Sequence, residues 1–199
     1  MKIIQSSIIT LLISSMFIAC NYLPNNNQVV VQDSIVNDSV CKPYFEFDEI
    51  EFYTINVFSD TLATIALKEN RIPQDTLFED ILTLGHLTSL QDSIIVNQLV
   101  KLGFKKLIMP DSTHQQMREI FCERKHDSSY AYSCIPLYRD IFVFRQNGRI
   151  SGIAKICFGC KQSTITGTNC NTEDFGQSGD FDKLKEIVRP LWRSCYGSL

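Results

Sequence analysis

The chain has 199 residues and a formal net charge of −3 at neutral pH. Hydrophobic residues make up 44 % of it and aromatic residues 11 %, which supplies enough apolar surface for a buried core and argues against disorder. A mildly acidic protein is poorly suited to bind the phosphates of nucleic acids or of anionic lipid headgroups. We therefore expect a folded protein with no nucleic-acid partner.

The N-terminal segment has the composition of a bacterial export signal. Lys2 supplies a positive charge ahead of an apolar stretch from Ile8 to Ile18. A membrane-spanning helix needs about 20 apolar residues, so this stretch is too short to span and fits a signal-peptide core. Ala19 and Cys20 follow, in a pattern that resembles the lipobox of bacterial lipoproteins. The resemblance implies cleavage between Ala19 and Cys20 and lipidation of Cys20 with long acyl chains such as palmitate; a plain secretory signal with a chance cysteine is the alternative.

The segment after Cys20 is polar and predicts a tether. Residues 21–40 are rich in Asn, Gln and Asp, and about 20 flexible residues have a root-mean-square span near 25 Å. Alternatively, Val29–Val31 adds a first strand to the folded body. The remaining length suits one domain with one core. We predict a signal peptide over residues 1–19, a lipidated cysteine and tether over 20–40, and a single domain over 41–199.

The first half of the domain predicts a strand followed by short helices. The β-branched and aromatic run Glu51–Phe58 is typical of a strand. Three later segments have the spacing of a helix capping box. They are Thr76–Glu79, opening a helix that stops near Gly85; Ser89–Asp92, opening one that runs to Gly103; and Ser112–Gln115.

The second half predicts a hairpin and a C-terminal helix. Asn147-Gly148 lies between two β-rich runs within residues 140–157, and this pair favours the positive φ angles of a tight hairpin turn. Apolar residues then recur at helical spacing from Phe181 to Leu191, with Asp180 or Asp182 as the cap. Pro190 is expected to end or kink that helix. The fold class is therefore α+β, an antiparallel sheet with a C-terminal hairpin at about 140–157 and three to four short helices.

Seven cysteines remain beyond Cys20, and export to an oxidising compartment favours disulfides among them. An odd number leaves at least one thiol unpaired. The pairs we predict are Cys157 with Cys160, which is feasible if the strand ends near Cys157 and the chain turns at Gly159, and Cys122 with Cys134.

Cys157 and Cys160 form a CxxC motif with three interpretations. The first is a structural disulfide or buried thiols. The second is a thiol–disulfide redox site, with Lys161 favouring a thiolate, although the β-branched segment that follows does not predict the activating helix of a thioredoxin-like site. The third is a zinc site completed by Cys170 with Cys122, Cys134 or His126, although no second CxxC or HxxxH accompanies it.

No other motif predicts catalysis. His86, His114 and His126 are scattered, and the chain has no HExxH, GxSxG or P-loop. We therefore expect no cofactor, no resident metal and no catalytic residue, with Cys157 and Cys160 as redox candidates in the alternative.

A repeated tripeptide predicts surface modification. Asp, then Ser or Thr, then an aliphatic residue or Thr occurs six times, where the composition predicts about one. The pattern resembles the O-glycosylation sequon of exported Bacteroidota proteins. Thr76 and Ser112 also suit helix N-caps, whereas the tether sites Ser34 and Ser39 have no competing role. The candidate acceptors are Ser34, Ser39, Thr61, Thr76, Ser93 and Ser112.

The segments Tyr138–Phe144 and Lys155–Cys160 are similar to segments of Bacteroidota lipoproteins, a likeness that implies no particular activity. In such bacteria an acidic run after the lipidated cysteine resembles a surface-export signal, and residues 21–27 contain no acid. The sequence therefore predicts an outer-membrane lipoprotein that faces the periplasm and is held to the membrane by its N-terminal lipid. The expected role is non-catalytic, binding an envelope protein or glycan or assisting assembly, and a thiol–disulfide redox protein is the alternative.

Overall fold

A computed structural model describes residues 41–126 and 133–197. The predicted signal peptide, Cys20, the tether and the acceptors Ser34 and Ser39 lie outside these residues. The described part has the α+β fold that the sequence predicted. Its main sheet has five antiparallel strands.

The bounds of the described strands and helices are as follows. The strands are β1 (Lys42–Pro43), β2 (Glu49–Thr54), β3 (Lys105–Ile108), β4 (Cys122–Glu123), β5 (Asp140–Gln146), β6 (Arg149–Cys157) and β7 (Gln162–Thr166). The helices are α1 (Ser59–Ala66), α2 (Pro73–Leu82), α3 (Ser93–Val96), α4 (His114–Ile120) and α5 (Asp180–Tyr196). The strand order of the main sheet is β3-β2-β5-β6-β7, and the short strands β1 and β4 pair with each other in a separate two-stranded sheet.

The predicted hairpin is confirmed. Strands β5 and β6 turn at Asn147 and Gly148, whose φ angles are 52° and 75°. Asp48 stabilises the turn, since its carboxylate accepts the backbone N–H of Asn147 at 2.7 Å. This hairpin supplies the two central strands beside β2, so a local sequence signal defines the middle of the sheet.

The two faces of the sheet carry separate apolar clusters. One face packs aromatic residues against α4 and α5, and Phe121 lies at its centre, stacked on Phe175 with ring centroids 5.2 Å apart. Phe45 crosses β6 so closely that a side chain at Gly152 would overlap its ring. The other face packs aliphatic residues from α2 and α3 against Ile141, Val143 and Ile153 of the central strands.

The helix predictions were only partly correct. Five α-helices are described, where three to four were expected, and α1 was not predicted because none of its residues is buried. The strand predicted over Glu51–Phe58 is shifted, since β2 begins at Glu49 and ends at Thr54. Ser89 does begin helical structure, accepting the N–H of Gln91 at 3.2 Å, but α3 ends at Val96, ahead of Gly103.

The predicted caps Thr76 and Ser112 are wrong. Thr76 lies inside α2, whose start is fixed by Asp75 accepting the N–H of Ile72 at 3.2 Å. Ser112 lies within a single 3-10 turn that precedes α4. Neither hydroxyl therefore occupies a helix N-cap.

Helix α5 also differs from its prediction at both ends. Its cap is Gly179, in a left-handed conformation with φ of 76°, while the carboxylate of Asp180 accepts the N–H of Gly176 at 3.0 Å. The helix continues through Pro190 to Tyr196, so of the two expected effects of Pro190, an end or a kink, the end is wrong. Leu191 and Trp192 extend the apolar stripe beyond the proline and pack on the core, which compensates for the one backbone donor that proline lacks. Within the described residues no helix is long and apolar enough to cross a membrane.

Candidate functional site

The expected disulfides are present, but their partners differ from the prediction. Cys122 pairs with Cys41, with a Cα–Cα distance of 5.6 Å, and Cys134 pairs with Cys160, at 5.9 Å. The proposed pairs Cys122–Cys134 and Cys157–Cys160 are therefore wrong. Of the cysteines in the described residues, the free thiols are Cys157, Cys170 and Cys195.

Strand pairing explains the choice of Cys41. In the small sheet, Pro43 of β1 lies opposite Cys122 of β4, and the backbone N–H of Tyr44 donates to Phe121 at 2.9 Å. This register brings Cys41 next to Cys122 across 81 residues of sequence. The bond fixes the start of the folded domain to the end of α4.

The CxxC motif forms the turn between β6 and β7. Strand β6 ends at Cys157, and the chain turns through Phe158–Lys161, with Lys161 at φ of 48°. The turn that a Cys157–Cys160 bond would require is thus present, although Cys160 bonds to Cys134 instead. Cys157 and Cys160 lie in one buried cluster with Tyr138, and the Cys157 sulfur accepts the N–H of Leu137 at 3.4 Å.

Lys155 lies on the same face of β6 as Cys157, because alternate residues of a strand share a face. Its side chain is fully buried, and its Nζ lies 4.9 Å from the centre of the Tyr138 ring. The ammonium donates to the carbonyl of Thr83 and, at 2.8 Å, to that of His86, so it binds carbonyls just beyond the end of α2. Burial lowers the pKa of Lys155 to about 8, an effect opposed by Asp92 and Asp80.

A buried carboxyl group lies at the same end of the sheet but on the opposite face. Asp140 begins β5, and its Oδ1 accepts the hydroxyl of Thr54 at 2.8 Å and the indole N–H of Trp192 at 2.9 Å. Burial raises the pKa of Asp140 to about 6, because these two hydrogen bonds offset only part of the desolvation. The Trp192 ring also contacts Phe158 of the CxxC turn edge-on at 5.1 Å, so α5 links the two sites.

A third buried charge, Glu51, lies in the middle of β2. The carboxylate of Glu51 accepts from the Tyr53 hydroxyl at 3.0 Å, from Arg145 at 3.0 Å and from Lys106 at 2.5 Å. Burial acts to raise the pKa of Glu51, but the hydrogen bonds from Arg145, Lys106 and Tyr53 outweigh it and lower the pKa. Arg145 also borders an open groove of about 360 Å³, lined by Leu90, Ser93, Ile94, Asn97, Arg145, Arg149 and Ile150.

Sequence analysis missed these buried charges. A signal was present, because Lys155 interrupts the apolar run Ile153–Ile156 and Glu51 alternates with apolar residues in β2. Periodicity alone could not show that the charged side chains face inward.

The zinc alternative does not fit the observed cysteine chemistry. Metal binding requires thiolates, but the sulfurs of Cys122, Cys134 and Cys160 form disulfides. The Nε2 of His126 instead lies 3.0 Å from the Ser178 hydroxyl. In residues 41–126 and 133–197, no three His, Cys, Asp or Glu side chains are grouped to hold a metal ion.

The four glycosylation candidates within the described residues differ in accessibility. Thr61, Thr76 and Ser112 are exposed, whereas Ser93 is half-buried at the border of the groove. Thr61 and Thr76 lie in α1 and α2, where exposed hydroxyls project from regular helices.

Comparison of the chain with protein-family models, with curated proteins and with solved structures found no match.

Proposed function

We propose that this protein is a lipid-anchored envelope protein whose folded domain has a non-catalytic binding or assembly role. The observation that carries the proposal is the pair of disulfides, Cys41–Cys122 and Cys134–Cys160, in a chain whose N-terminal segment resembles an export signal with a lipobox. Disulfides persist in exported proteins, whereas cytosolic reductants keep thiols reduced. The disulfides and the N-terminal segment therefore both support location in an oxidising compartment outside the cytosol.

The bonding of the buried polar groups supports a structural role for them. Lys155 is held by two backbone carbonyls, Asp140 by a hydroxyl and an indole, and Glu51 by two cations and a phenol. Each partner belongs to the fold itself. We propose that these groups fix the positions of α2, α5 and the edge strand β3. The partner, an envelope protein or a glycan, would then bind on the solvent-exposed surface of the domain.

The anchor is tested by replacing Cys20. In Cys20→Ala, we expect no incorporation of labelled fatty acid, because the thioether cannot form, and accumulation of precursor or soluble protein. Cys170→Ala is the matched control and should be lipidated like the native chain, since Cys170 lies within the folded domain. Fatty-acid labelling of Cys20→Ala at the native level would contradict the anchor.

We also propose that the chain is O-glycosylated at its Asp-Ser/Thr triplets. Protein from a Bacteroidota host should then exceed the mass of polypeptide plus lipid, and Ser34→Ala with Ser39→Ala should remove part of that excess in steps. Thr61→Ala, Thr76→Ala and Ser112→Ala are expected to remove more, since these hydroxyls are exposed. Intact-mass spectrometry measures this excess, and a mass equal to that of polypeptide plus lipid would exclude O-glycosylation.

A further inference from the structure

We propose that the CxxC turn is an internal thiol–disulfide exchange site, in which Cys157 attacks the Cys134–Cys160 disulfide and releases Cys134 as a surface thiol. The chain then has two disulfide states with the same number of bonds. This activity goes beyond membrane anchoring. It also differs from a CxxC dithiol enzyme, because the motif exchanges with a third cysteine.

The placement of the three sulfurs carries the inference. Cys157 is a free, buried thiol in the same cluster as Cys160, and both belong to one turn whose strand ends at Cys157. Cys134, the partner of Cys160, lies instead at an exposed position. The buried thiol therefore shares a cluster with the buried half of a disulfide whose other cysteine is exposed.

The step balances without an external oxidant. The Cys157 thiol loses its proton to solvent, and the thiolate attacks the sulfur of Cys160. A Cys157–Cys160 bond forms as the Cys160–Cys134 bond breaks, and the Cys134 thiolate leaves and takes up a proton. One disulfide and one thiol are present before and after.

The surroundings favour this direction. The leaving thiolate forms at exposed Cys134, where water solvates it. Since the rate of exchange depends on the leaving group, the exposure of Cys134 assists the release of its thiolate.

The experiment maps disulfides in the full chain, purified without reductant and incubated with N-ethylmaleimide. Trypsin should cut after Lys155 and Lys161, which places both cysteines of the motif in the peptide 156–161. After exchange this peptide carries an internal bond, is lighter than its reduced form by two hydrogen atoms, and is no longer linked to the Cys134 peptide. We expect it to accumulate together with alkylated Cys134.

Variants show whether Cys157 is responsible. In Cys157→Ser, alkylation of Cys134 should fall to background, whereas Cys195→Ser, which removes another free thiol, should behave like the native chain. In Cys134→Ser, Cys160 should bond to Cys157 during export. The proposal is overturned if native Cys134 stays bonded while Cys157 is alkylated, or if Cys134 is alkylated equally in Cys157→Ser. Two free thiols at residues 157 and 160 of exported Cys134→Ser would also overturn it.

Discussion

Removing the Cys41–Cys122 disulfide is expected to lower the free energy of unfolding by about 4 kcal/mol, because the bond closes a long loop in the unfolded chain. The two cysteines are 81 residues apart, so the open chain gains much conformational freedom when the bond is lost. The same bond holds β1 on β4 and so positions Tyr44 and Phe45 at the edge of the aromatic core. Urea unfolding of Cys41→Ala/Cys122→Ala, followed by circular dichroism, measures the loss.

Two variants make this result specific. Cys134→Ala/Cys160→Ala opens a loop of 26 residues and should cost somewhat less, about 3 kcal/mol by the same dependence on loop length. Cys195→Ala removes a free thiol and should shift stability by less than about 1 kcal/mol. An unfolding midpoint in Cys41→Ala/Cys122→Ala equal to that of Cys195→Ala would show that this disulfide does not stabilise the domain.

The parts of the fold that the sequence predicted are those with local causes. Asn147 and Gly148 adopt positive φ angles whatever lies elsewhere in the chain, so the hairpin could be placed without knowledge of the sheet. The apolar stripe beginning at Phe181 likewise identified α5. The predicted helix boundaries were wrong where tertiary packing outweighs a local helix-breaking residue, as at Pro190.

The cysteine partners depend on contacts that sequence order does not reveal. Cys41 meets Cys122 through the register of two short strands, and β1 has only two residues. Cys134 reaches Cys160 from the segment before β5 rather than through the turn that joins Cys157 to Cys160. The nearest cysteine in sequence was therefore the wrong partner in both predictions, although the turn that a Cys157–Cys160 bond requires is present.

The buried charges were unpredictable for a related reason. Asp140 precedes the apolar core of β5 and has the position of an ordinary strand-flanking acid. Only the packing of α5 on the sheet places the Trp192 indole above it and excludes water. The raised pKa of Asp140 therefore depends on the packing of α5 against the sheet.

Asp140 should make stability depend on pH in an unusual direction. Its folded-state pKa, about 6, lies above its ordinary value of 3.8. Below about pH 4 the carboxyl is protonated in both states and imposes no penalty. Between about pH 4 and pH 6 the unfolded state loses the proton first, so this group destabilises the fold increasingly as pH rises. Above about pH 6 the penalty is constant, at roughly 3 kcal/mol for a shift of this size.

Asp140→Asn is therefore expected to raise the free energy of unfolding by up to about 3 kcal/mol at pH 7.5 and by almost nothing at pH 3. The substitution keeps the two known hydrogen bonds, because both donors bind Oδ1, which asparagine retains. Asp111→Asn, at an exposed site, is the matched control and should change stability by less than about 0.5 kcal/mol at either pH. Urea unfolding at the two pH values measures the difference. Equal effects of Asp140→Asn at pH 3 and pH 7.5 would mean that the carboxylate is not destabilised by its burial beneath α5.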